Sequence, residues 1–102
     1  MSRGYYKRDG TPYPPGNKGM MEWSSDMGNS EMKIVKYERM PNGKIVSTVW
    51  LGLDHQFGEG KPLIFETMVF QNDRSYSELD RARYSTERTA KVGHTKMVKK
   101  WK

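Results

Sequence analysis

The chain reads as an α+β domain: a three-stranded antiparallel β-meander with a C-terminal amphipathic helix packed on one face, preceded by an irregular basic N-terminal arm. Three observations predict it. The stretch from Lys44 to Phe70 holds two runs rich in β-branched and aromatic residues, the types that fit a pleated, half-buried surface. Pro41-Asn42-Gly43 separates the first of these from another strand-like run, which is a hairpin signature. From Ala90 to Trp101 the apolar residues recur at spacings of three and four, the period of an amphipathic helix.

The length of 102 residues fits one domain. The expected division is an irregular arm with a short helical turn over residues 1–31 and an α+β core over 32–102. Within residues 1–19, Pro and Gly interrupt both helix and ladder hydrogen bonding. Tyr5, Tyr6 and Tyr13 lie among Arg3, Lys7, Arg8 and Lys18. That interleaving suits an extended segment that stacks on bases while neutralising phosphates; the plainer reading is a tail whose tyrosines pack loosely on the domain. With few aliphatic side chains to bury, residues 1–19 are expected to be removable with the fold nearly untouched. Met20 to Met27 is expected to make one or two helical turns, a flap anchored by Trp23 against one edge of the core.

Lys33 to Glu38 supplies the first strand, through Ile34, Val35 and Tyr37. Met40 to Lys44 is the turn, where Pro presets φ and Asn-Gly tolerates a positive φ. Ile45 to Leu53 follows, with Ile45, Ser47, Val49, Leu51 and Leu53 on one face and Val46, Thr48, Trp50 and Gly52 on the other. Asp54 to Lys61 is a loop. Leu63 to Phe70 forms the third strand, with Leu63, Phe65, Thr67 and Val69 on one face and Ile64, Glu66, Met68 and Phe70 on the other. Apolar residues on both faces imply cover on both sides, or cover on one with the other partly shielded. Short connections make these strands neighbours. Lys33–Glu38 is then an edge, open to pairing with a second copy or another chain.

Ser85 or Thr86 caps the helix, with Glu87 in its first turn facing the positive end of the dipole. Ala90, His94, Met97, Val98 and Trp101 form the sheet-facing stripe. Arg88, Lys91, Thr95, Lys99 and Lys102 form the outer face. Gly93 inside the helix costs about 1 kcal/mol relative to Ala.

The chain has no cysteine, which excludes disulfides, thiolate metal sites and Cys nucleophiles. No apolar run approaches the ~20 residues of a membrane span, and MSRGYYKRDG is not followed by the apolar region of a secretory signal. A soluble, intracellular protein with no membrane partner is expected. The net charge is +6, and positive charge gathers at both ends around a net-negative centre. Such ends attract polyanions or acidic protein surfaces.

Candidate chemistry is confined to Asp54, His55, Glu59 and Glu66, with Asp54, His55 and Glu66 as the catalytic candidates. A carboxylate that orients a His makes a general base, and the same groups ligate divalent ions. Adjacent residues on an extended chain point apart, however. The plainer reading has Asp54 capping backbone amides and His55 packing at the base of the loop. The FGEGK segment lacks the helix a phosphate-binding loop requires, since Lys61 is followed by Pro62 and a strand. No cofactor or metal site is expected. Glu66, if buried, needs a partner such as Arg74, Arg81 or Arg83, and His94 reads as a satisfied, half-buried histidine. The candidate binding residues are Tyr5, Tyr6, Lys7, Arg8 and Tyr13 of the arm, and Arg88, Lys91, Lys99 and Lys102 of the helix. Lys dominates that helix face and it carries no Asn or Gln, so base readout is not indicated.

At STVWLGLDH, PLIFETMVF, ELD, RYST and GHTKMVKKW, from Ser47 to Trp101, the chain resembles a group of small proteins encoded by tailed bacteriophages and prophages. The resemblance implies a setting, the cytoplasm of an infected bacterium, and transfers no catalytic residue. After RYST the relatives tend to carry acidic residues where this chain has Arg88 and Lys91, which makes its helix face more basic.

The function expected on these grounds is that of a small non-enzymatic phage accessory protein that binds a host or phage macromolecule, most simply a protein. Three alternatives stand beside it. One is a nucleic-acid-binding protein that uses the arm and the helix. Another is a small-molecule or nucleotide binder, or a metal-dependent hydrolase, at the Asp54–Lys61 loop. The third is a minor virion component.

Overall fold

The Pro41-Asn42-Gly43 turn forms as its residues predict. In the computed structural model, which describes residues 4–54, 60–75 and 77–102, Gly43 has a φ of 88°, a conformation open to glycine without a Cβ penalty. The Met40 amide donates to the Lys44 carbonyl at 2.8 Å, and the Asn42 side chain accepts from the Lys44 amide at 2.9 Å. The flanking segments pair antiparallel as β1 (Ile34–Arg39) and β2 (Ile45–Trp50). β3 (Phe65–Phe70) pairs with β2 along its length, with Ile45 opposite Phe70 and Trp50 opposite Phe65.

The sheet has four strands, one more than the sequence reading placed. β4 (Glu78–Tyr84) pairs antiparallel with β3 and completes a meander of order β1-β2-β3-β4. Its charged residues, Glu78, Asp80, Arg81 and Arg83, hide the strand from an apolar-pattern search. They are tolerated because each has a partner: Arg81 pairs with Glu78, Arg83 with Glu66, and Asp80 with Lys100. A register shift between Val69 and Phe70 on the facing strand leaves Leu79 exposed.

Three helices complete the described residues: α1 (Gly16–Met27), α2 (Ser30–Lys33) and α3 (Glu87–Trp101). The Thr86 hydroxyl caps α3 by accepting from the Thr89 amide at 3.1 Å, with Glu87 in the first turn as expected. No helix among the described residues is long and apolar enough to cross a membrane.

α3 lies on the sheet face that carries Val46, Thr48 and Trp50 of β2 and Phe65, Thr67 and Val69 of β3. The core beneath it has two apolar clusters. One centres on Tyr13, Trp50, Ile64, Phe65 and Ala90; the other holds Met40, Val46, Val69 and Met97, with Val98 and Trp101 packed against it. The paired Thr48 and Thr67, both fully buried, come between the two clusters along the strands.

The N-terminal segment corrects the sequence reading. Its backbone is irregular apart from isolated bridges of Tyr5 to Leu53 and Tyr6 to Pro12, yet its side chains belong to the first cluster. Tyr13 is 7% exposed, and its hydroxyl donates to Asp26 at 2.6 Å. The Tyr6 amide donates to Gly52 at 2.7 Å, and its carbonyl accepts from the Trp50 indole at 3.0 Å. Tyr5 lies against Trp23 with ring centroids 4.5 Å apart. The Trp23 indole donates to the Leu51 carbonyl at 2.9 Å, so this residue is the anchor expected of it. Helix α1 starts earlier than expected, at Gly16 directly after Pro14-Pro15. The physical reason is the Trp50 end of the sheet, which needs a cover, and Tyr and Pro supply apolar area that a count of aliphatics misses.

Gly93 is the other position where the fold reverses the sequence argument. A Cβ there would stand 2.1 Å from the Tyr84 hydroxyl oxygen and 2.2 Å from the carbon that bears it. The glycine therefore admits the Tyr84 ring against the helix backbone.

Two outcomes test this packing. Tyr13→Ala should cost about 3 kcal/mol in urea unfolding, as expected for loss of a buried aromatic side chain, and deletion of residues 1–19 should cost more; an unchanged midpoint for either would separate the segment from the core. Gly93→Ala should destabilise by about 1–3 kcal/mol through overpacking, in spite of its better helix propensity, and the same change in a Tyr84→Leu background should cost less or stabilise.

Candidate binding cleft

Of the catalytic candidates, Asp54 and Glu66 are described, and each takes part in bonds within the fold. Asp54, just past β2, accepts a hydrogen bond from the Leu63 amide at 3.0 Å and so ties the two ends of the loop together. His55 and Glu59 lie outside the described residues. Glu66 sits in β3 on the face away from α3, opposite Val49 and Arg83. It is 7% exposed, and its carboxylate accepts from Arg83 at 2.9 Å, with Arg81 at 3.7 Å. These are the arginines expected as its structural partners. Among the described residues no three His, Asp or Glu side chains gather in a metal-binding arrangement.

A triad-like set occurs elsewhere, where the sequence showed no sign of it. His94 of α3 is fully buried. Its Nδ1 lies 2.7 Å from the Thr48 hydroxyl and its Nε2 lies 2.9 Å from the Glu38 carboxylate, while Thr48 meets Thr67 at 2.6 Å. A carboxylate only accepts, so Nε2 carries the proton, Nδ1 accepts from Thr48, and Thr48 accepts from Thr67. Burial holds His94 below its ordinary value of 6.5, against the pull of Glu38 in the other direction; the hydrogen bond from His94 lowers Glu38. Thr48 has no exposed surface, so no substrate reaches its hydroxyl. The set is structural.

The arm residues proposed for binding are engaged in the fold. The Arg8 guanidinium grips Glu87 with two bonds, at 2.7 and 3.0 Å, and reaches the carbonyls of Glu31 and Met32. Arg8 holds Glu87 below the usual carboxylate range. Tyr5, Tyr6 and Tyr13 are occupied as described, and Lys7 is exposed with its ammonium 5.8 Å from the centre of the Tyr13 ring. The helix candidates differ. Arg88, Lys91, Lys99 and Lys102 are all exposed on the outer face of α3, and of these only Lys91 forms an ion pair among the described residues, with Glu87 at 3.1 Å.

Beside that face lies a cleft of about 900 Å³ between α3 and β4. Its apolar lining includes Ala82, Tyr84, Val92 and Met97, and its cations are Arg88, Lys96 and Lys100; among the described residues no carboxylate lines it. Val92, on the rim, is 51% exposed. The Asp80 carboxylate stands by Lys100, accepting from its ammonium at 2.7 Å and from the Trp101 indole at 2.9 Å. These bonds lower Asp80 to about 2, the Lys100 contact first among them. Val92, Lys96 and Lys100 were not singled out from the sequence. The available signal was the Arg88, Val92, Lys96, Lys100 stripe at four-residue spacing, which gains meaning only once β4 lies beside it.

The chain matches no family model, no curated protein and no solved structure.

His94 makes stability depend on pH. Its folded pKa is depressed, so the stability it contributes is complete above the ordinary 6.5 and is lost as pH falls through the folded value. The denaturation midpoint should therefore decline on acidification from just below pH 6.5, before the carboxylates titrate. His94→Gln should lack that limb, and a wild-type profile flat down to the carboxylate range would contradict the buried neutral imidazole.

Proposed function

We propose that this is a non-enzymatic binding protein that recognises a macromolecule through α3, and that it serves as a phage accessory protein in the cytoplasm of an infected bacterium. The observation that carries the binding reading is the cleft: an apolar trough rimmed by Arg88 and Lys96, continuous with a cationic outer helix face. Buried apolar area with a cationic rim suits an acidic protein surface, where the floor supplies affinity and the rim supplies orientation and on-rate. The phage setting rests on the resemblance across Ser47 to Trp101.

A second reading, nucleic-acid binding, is favoured by one observation: Arg88, Lys99 and Lys102 lie on one exposed face and form no ion pair among the described residues. Four turns of helix with such a face can follow a phosphate backbone without reading bases. The arm tyrosines do not support this reading, because their rings are committed to packing.

The two readings separate in one experiment. The tagged chain and an Arg88→Glu/Lys96→Glu/Lys99→Glu variant are incubated with infected-cell lysate, with and without nuclease. A protein retained by the wild type after nuclease and lost from the variant supports the leading reading. Retention abolished by nuclease, with binding to purified duplex or single strands that weakens steeply with salt, supports the second. Equal retention by wild type and variant would remove α3 from recognition.

A further inference from the structure

The cleft has walls of two kinds. One is a flank of α3, and the other is β4, the last strand of the sheet, whose second edge pairs with no strand among the described residues. An edge strand beside an apolar trough is a template for an incoming extended segment: main-chain hydrogen bonds attach it, and alternate side chains enter the trough. β4 already shows this alternation. Ala82 and Tyr84 line the cleft, while Arg81 and Arg83 point to the other face and pair with Glu66.

The two ends of β4 are not equivalent. Near Glu78 the edge is blunted by the register shift, and the Arg81 amide is taken by the Asp80 side chain at 2.8 Å. From Ala82 to Tyr84 the pairing with β3 is regular, and this is the stretch that faces the cleft. Charge decides the chemistry of the occupant. Lys100 is neutralised by Asp80, whereas Arg88 and Lys96 form no ion pair among the described residues. An apolar floor gives a nucleic acid little to hold, and the Tyr84 ring is turned onto Gly93 rather than presented for stacking.

We propose that the cleft takes an extended acidic segment of a partner protein as a fifth strand on β4. Alternate apolar side chains of the segment lie against Ala82, Val92 and Met97, and its carboxylates meet Arg88 and Lys96. This rests on the binding-protein reading above and specifies its partner.

The test uses the full chain, ¹⁵N-labelled, titrated with a short peptide that alternates Glu and Val. A second peptide of the same sequence carries N-methyl groups on alternate amides, which removes ladder donors and keeps the side chains. The expected result is saturable binding with slowed amide exchange in Ala82–Tyr84, about tenfold weaker binding of the methylated peptide, and about tenfold weaker binding to Val92→Glu/Lys96→Glu. Lys18→Glu, on α1, should bind as the wild type does. Equal binding of the methylated peptide, or unchanged exchange in β4 at saturation, overturns strand addition even where the peptide binds, and leaves the wider reading standing. Failure of the peptide to bind, with a lysate partner or nucleic acid still held through Arg88 and Lys99, also overturns the inference alone. Failure of every ligand overturns both.

Discussion

The buried imidazole of His94 fixes where α3 can lie. A ring with no exposed surface is costly unless both nitrogens are satisfied. Here one meets Thr48 of β2 and the other Glu38 of β1, with Thr67 of β3 behind Thr48. One helix residue is thus coupled to three strands. Sliding the helix by a turn, or a strand by one residue, would place a hydroxyl or the imidazole against apolar side chains. Apolar packing alone tolerates such slips more readily. With His94 held, the rest of α3 is assigned: Ala90 and Met97 go into the core, Arg88, Lys91, Lys99 and Lys102 go outward, and Val92, Lys96 and Lys100 fall on the flank above β4.

That placement makes the cleft a consequence of coverage. A helix with its side chains is about 10–12 Å across, while the outer strands of a four-stranded sheet stand about 14 Å apart, before their own side chains are counted. One helix covers the middle of such a sheet and leaves the margins to other groups. On the β1 side, Glu38 and Met40 complete the cover. At the Trp50 end, Tyr6, Tyr13 and Trp23 complete it. On the β4 side the cover includes Ala82 against the second cluster, Tyr84 on Gly93 and the Asp80 bonds to Lys100 and Trp101, with the trough between them.

The legible parts of the fold were those whose signals are local. The Asn42-Gly43 reversal, the β-branched runs on either side, and the Thr86-capped helix each carry their evidence within a few residues, and the faces assigned within Ile45–Trp50, Phe65–Phe70 and α3 are the observed ones, whereas Ile64, assigned to the Glu66 face, is buried with Trp50, Phe65 and Ala90. β4 was not legible, because Ala82 and Tyr84 are too few to make a pattern and its charges are balanced by residues distant in sequence. The arm was misjudged for a related reason: Tyr13 and Tyr6 resemble a stacking surface until Trp50, far along the chain, is seen to need them. For the site, the exposed cations of α3 were legible from periodicity. The cleft beside them was not, since half of its wall is the strand that went unrecognised.

The same pairing explains where the basic character is expressed. Composition gives an excess of cations without saying which of them face solvent unpaired. Arg8 is taken up by Glu87, Arg39 by Asp73, Arg81 and Arg83 by Glu66 and Glu78, and Lys100 by Asp80. Most of these arginines hold elements together; they do not offer charge to a partner. On α3, by contrast, Arg88, Lys96, Lys99 and Lys102 lie within four turns of one helix, at positions set by His94. Arginine here mainly joins the fold and lysine mainly remains outside it, in keeping with the fork geometry of one and the strong hydration of the other. The positive ends seen in the sequence therefore act differently. At the first, Arg8 is spent on tying the arm to α3 through Glu87 while Lys7 and Lys18 stay exposed, and the second is held on a rigid helix beside an open strand edge.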